Sequence, residues 1–111
     1  MAERREGLPK SLQDFIKKYP QVWEAHEKLG VACKKAGPLE EKYVQLIKLA
    51  LSGLQMHETA FKTHVRGALR AGAKPAEIEQ TILQLLPTAG INSMMIAMNW
   101  AKDVIGVSPT V

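Results

Sequence analysis

The chain has a single cysteine, Cys33. No disulfide can close within it, and no cysteine cluster can hold a metal ion. Aromatic residues are also scarce, at 5%. The core must therefore be built from Leu, Ile, Val, Ala and Met, a composition that suits helices better than a β-sandwich. No apolar stretch approaches the ~20 residues of a membrane span. The opening MAERREGLPK carries charges with no apolar run behind them. It does not read as a signal peptide, so a cytoplasmic protein is expected, with no membrane partner. There is no arginine-rich run and no basic stripe interleaved with aromatics, so no nucleic-acid partner is expected either. Linkers, low-complexity tracts and internal repeats are absent as well.

What is present fits one compact unit. The 111 residues are 46% hydrophobic, which predicts a single domain spanning 1–111. The net charge of +4, from 15 basic against 11 acidic residues, is modest and spread along the chain. It is compatible with an attraction for small anions.

Proline and glycine cut the chain into helix-sized pieces. Ser11 can cap a first helix carrying Leu12, Phe15 and Ile16, ended by Tyr19-Pro20. A second runs from about Pro20 to Ala36, and Gly37-Pro38 stops it. A third, about 39–53, opens on Glu40 and Glu41 and is then apolar nearly all round, which predicts burial, in part by another subunit. The fourth, about 57–71, ends at Gly72 as a left-handed cap. Lys74-Pro75 starts a fifth, which Pro87 and Gly90 terminate. Asn92 or Ser93 caps a sixth that carries Met94, Met95 and Met98 and closes at Gly106. The reading is all-α, with about six helices and no strand.

The chemistry gathers in residues 53–72, GLQMHETAFKTHVRGALRAG. His57 and His64 stand seven residues apart, nearly two helical turns, so both rings project from one face. Their Cα atoms lie about 10 Å apart along the axis. That gap suits two groups flanking a small substrate rather than one metal, since helical metal pairs use closer spacing. His57, at the helix start, is either a surface cap or a neutral base or donor. His64, beside Phe61, Val65 and Ala68, is either a satisfied half-buried ring or an acid/base. Glu58 is explained by the helix dipole and a pair with Lys62, or it orients an imidazole. Arg66 and Arg70, on another side of the helix, are solvated surface or a guanidinium fork for a carboxylate. His26 reads as packing near Trp23, and Cys33 as a small core residue.

Three stretches together resemble the carboxymuconolactone decarboxylase family, which includes the AhpD-type alkylhydroperoxidases. They are LIKLALSGL, then HETAFKTHVRGALRAGAKPAEIEQTILQLL, then PTAGINSMMIAMNWA. The likeness covers most of the chain and is densest over 39–101. It implies an AhpD-like helical subunit in a ring-like homo-oligomer, a dimer at least and often a hexamer, with sites near subunit contacts. In the peroxidase branch a Cys-x-x-Cys pair precedes the histidine and a glutamate on the preceding helix assists. Aligned on His64, the cysteine positions fall at His57 and Ala60, and the glutamate position at Gln45. Neither thiol is present, so the alkylhydroperoxidase chemistry is disfavoured, because thiol–disulfide exchange needs both.

The decarboxylase branch resembles the chain at His57, Glu58 and His64. Such enzymes convert 4-carboxymuconolactone into the 3-oxoadipate enol-lactone without metal or organic cofactor. The resemblance implies a small anionic organic acid or lactone as substrate. It casts His64 as acid/base, His57 as a donor to the lactone or carboxylate, Glu58 as an orienting group and Arg66 as the carboxylate anchor. The remaining alternative is a non-catalytic oligomeric binding protein on the same scaffold.

Overall fold

The structure is a computed structural model that describes residues 8–106. It is all-α, as the composition predicts. The helices are α1 (Lys10–Lys18), α2 (Pro20–Lys35), α3 (Glu41–Leu54), α4 (Glu58–Arg70), α5 (Pro75–Leu83), α6 (Leu85–Ala89) and α7 (Ile91–Ile105). No strand occurs among the described residues. Residues up to Pro38 form one compact unit and those from Leu39 onward another.

In the first unit, α1 starts behind Pro9 in the capping position, and Ser11 lies inside the first turn rather than capping it. The helix stops at Tyr19 because the ring of Pro20 pushes its neighbour out of the helical region, to φ −127° and ψ 63°. Pro20 is then well placed as the first residue of α2, where no N–H is needed. Helix α2 buries none of its residues. Cys33 is accordingly exposed, not a core residue as its small size suggested. His26 rests against Trp23, with ring centroids 5.1 Å apart, and the Trp23 indole N–H donates to Glu27 at 2.9 Å.

In the second unit, α3 and α4 pack side by side, and α5–α7 close the core around them. Phe61, Val65 and Ala68 recur at steps of four and three on α4 and are fully buried. They meet Leu49 of α3, Ile78 and Ile82 of α5, Leu85 of α6, and Met94, Ala97 and Ala101 of α7. Helix α4 ends in a Schellman turn, Ala73 N–H donating to Ala68 and Gly72 N–H to Leu69, with Gly72 at φ 97°. Helix α5 starts where Lys74-Pro75 predicts. The Lys74 backbone N–H donates to Glu77 Oε1 at 2.9 Å, and the Lys42 ammonium reaches Glu77 Oε2 at 3.1 Å, tying α3 to α5.

The stretch read as one fifth helix is broken at Gln84, and a five-residue α6 follows. Pro87 offers no N–H to the Leu83 carbonyl and its ring crowds that carbonyl, so the ladder breaks there while Pro87 itself stays inside the next turn. Gly90, at φ 98°, both ends α6 and starts α7, so neither Asn92 nor Ser93 is the cap.

Candidate functional site

Each candidate in residues 57–66 belongs to α4 or its cap. His57 is the capping residue, exposed, and its side chain makes no capping hydrogen bond. The turn before it reverses through Met56, held at φ 59°, and the His57 backbone N–H donates to Ser52 at 3.0 Å. A left-handed non-glycine residue costs about 1–2 kcal/mol, so this entry into α4 is held by its surroundings.

His64 is half-buried and faces α3. Its Nδ1 lies 3.0 Å from Gln45 Oε1, and Gln45 Nε2 donates to Glu41 Oε1 at 3.2 Å. The direction of this chain follows from the donor inventory. An ionised carboxylate only accepts, so the Gln45 amide nitrogen turns to Glu41 and its oxygen to the ring. That oxygen also only accepts, so the proton of the neutral ring sits on Nδ1. Nε2 is left with a free lone pair. Gly67 makes room for the arrangement, because a Cβ there would stand 2.7 Å from Gln45 Oε1. Burial is the first cause holding the His64 pKa below its ordinary 6.5, and the nearby Lys48 ammonium is the second. The ring is thus neutral, with one tautomer favoured and one nitrogen available.

The other candidates do not converge on this ring in the same way. Glu58 is held by Lys62 at 2.8 Å, and Lys62 also reaches Asp103 of α7 at 3.1 Å. The group that orients His64 is therefore Gln45, while Glu58 serves a bridge between α4 and α7. Arg66 is half-buried. Two residues past His64, it points about 200° around the helix from the imidazole. His57 lies just outside the helix, with extended backbone at φ −93° and ψ 90°, so helical periodicity does not fix its ring on the His64 face. Gln45 was legible in the sequence only as the position of the family's glutamate. A glutamine among aliphatic neighbours carries no signal of its own for an imidazole on another helix.

Among the described residues, no three His, Cys, Asp or Glu side chains are grouped to hold a metal ion. No helix there is long and apolar enough to cross a membrane.

An all-helical unit with a histidine held on the helix after an apolar α3 defines the class of scaffold. The chain matches the carboxymuconolactone decarboxylase family over residues 18–103 and belongs to that family. No curated protein and no solved structure gives a significant match.

Proposed function

We propose that the protein is a cofactor-free decarboxylase of 4-carboxymuconolactone, or of a related small carboxylated lactone or keto acid from aromatic-compound breakdown, working as a homo-oligomer. The observation that carries this reading is the His64 ring, pinned at Nδ1 by Gln45 with Nε2 left free. Family membership supplies the reaction class.

Decarboxylation breaks the bond between a carbon and its carboxylate, and the electron pair passes into the conjugated lactone as carbon dioxide leaves. One proton must then be added to carbon. A neutral His64 takes that proton on Nε2 from solvent once the anionic substrate lies beside it, and delivers it to the carbanionic carbon. Gln45 is a positioning residue that keeps Nε2 aimed outward in both protonation states. His57, at the start of α4, hydrogen-bonds the far end of the ligand, where the positive end of α4 favours developing charge on the lactone oxygen. Glu58 acts through Lys62 to hold α4 against α7. The alkylhydroperoxidase alternative has only Cys33 to work with, and one thiol cannot both attack and resolve.

The test is the loss of ultraviolet absorbance of freshly generated 4-carboxymuconolactone by wild type and His64→Ala. Turnover by wild type should fall by about 10²–10⁴ in the variant. A loss below about tenfold removes His64 from the chemistry. No turnover of this or related acids by folded wild type favours the binding-protein alternative.

A further inference from the structure

The α3 face opposite His64 carries Glu41, Gln45 and Lys48, at steps of four and three. Glu41 is joined to the Gln45 amide, and Gln45 to the imidazole. Lys48 follows nearly one turn further on, on the same side of α3. It is half-buried. Lys10, Lys28, Lys42 and Lys62 each have a carboxylate within reach. Among the described residues, Lys48 pairs with none. A lysine buries its stem and keeps its head in water, so the Lys48 ammonium is open to a counter-ion from solution. It also stands close enough to His64 for its field to oppose a proton on the ring. That repulsion vanishes if an anion enters between them.

We infer that Lys48 is the anchor for the carboxylate of a small organic anion, and that the Lys48 ammonium and His64 Nε2 together form a two-point cradle for it. The role expected of Arg66 passes to α3, because Arg66 projects away from the imidazole. Of the charged groups around His64 named above, Glu41 is occupied by Gln45, and Lys62 by Glu58 and Asp103. His57 caps α4 about 10 Å along the axis from His64. Lys48 is therefore the cation that an incoming carboxylate meets beside the ring. Its neutralisation raises the proton affinity of His64, so binding itself loads the proton that decarboxylation consumes. The inference rests on the decarboxylase reading only for which acid is bound. The cradle itself is a claim about anion binding.

The experiment uses paraconate, a stable lactone carboxylate, titrated into the full chain while the His64 imidazole resonances are followed by NMR. Saturable binding is expected, with an upward shift of the His64 pKa in the complex. Lys48→Gln should weaken binding at least about tenfold, as expected for losing a charge-assisted hydrogen bond, and should raise the His64 pKa of the free protein. Lys48→Arg should restore most of the affinity. Arg70→Gln, which removes the same charge from an exposed position, should stay within about twofold. Unchanged binding in a folded Lys48→Gln, absence of saturable binding to wild type, or a loss confined to Arg66→Gln would overturn the anchor. Lys48-dependent paraconate binding without turnover of 4-carboxymuconolactone would leave the anchor standing and remove the decarboxylase reading. Turnover with an unchanged KM in Lys48→Gln would do the reverse.

Discussion

Gly67 acts on His64 without touching it. A methyl group there would meet the Gln45 amide, with Oε1 at 2.7 Å and Cδ at 2.9 Å. These atoms are the far end of a flexible side chain, so Gly67→Ala displaces the amide rather than the helix. Replacing a helical glycine also favours α4 by about 0.5–1 kcal/mol. The expected outcome is a variant as stable as wild type in which His64 has lost its partner. Its ¹⁵N imidazole pattern should change from a fixed Nδ1–H form to a tautomer mixture, and decarboxylation should fall at least about tenfold. An unchanged imidazole pattern would remove Gln45 from the argument. The lowered His64 pKa makes a second prediction at this scale. The folded protein binds this proton less tightly than the unfolded chain. The associated stability is whole above the unfolded pKa of about 6.5 and is lost as pH falls through the lower folded value. The fall in Tm between about pH 8 and pH 5 should therefore be shallower in His64→Gln than in wild type. Parallel profiles would contradict it.

The elements show how far periodicity carries a reading and where it stops. Pro20 and Pro75 mark the starts of α2 and α5, and Gly72 and Gly106 lie just past the ends of α4 and α7, because their backbone preferences are local. Pro87 misleads, because a proline breaks the ladder one turn before itself, so the interruption falls at Gln84. Cys33 misleads for a different reason. Helical spacing says which residues share a face of α2, not whether anything covers that face. The Gln45–His64 contact was illegible for the same reason, since it depends on how α3 and α4 pack. Phe61 is the converse case, a core residue that the α4 spacing places correctly. It is fully buried, and its ring centroid lies 5.8 Å from that of Trp100 on α7. With aromatics so few, its loss cannot be absorbed by neighbours of similar bulk. Phe61→Ala should cost about 3–5 kcal/mol, read as a lowered denaturant midpoint with little change in slope. A cost under about 1 kcal/mol would mean that α4 is not docked on α7 through this ring.

At the scale of the molecule, the apolar character of α3 is only partly explained by its own chain. Leu49 is buried, but Tyr43, Ile47, Leu51 and Leu54 form a stripe at steps of four, four and three that is 45–56% exposed. On α7, Ile91 and Met95 are 59% and 47% exposed. A stripe of this kind in contact with water favours association. It supports the proposed homo-oligomer, with copies meeting through α3. Leu51 lies in the middle of the stripe. In a symmetric interface each substitution acts twice. Losing two buried leucines costs about 3 kcal/mol or more, roughly a hundredfold in the dissociation constant, and a buried carboxylate adds to it. Leu51→Glu should therefore sediment as a smaller species at concentrations where wild type associates, while keeping its helical circular dichroism. Wild type that sediments as a monomer at micromolar concentration would end the homo-oligomer reading. Decarboxylation measured on the dissociated Leu51→Glu protein then separates two arrangements of the site. Retained turnover means that Gln45, Lys48, His57 and His64 of one subunit suffice, and lost turnover in a folded monomer means that the neighbouring copy completes the cradle.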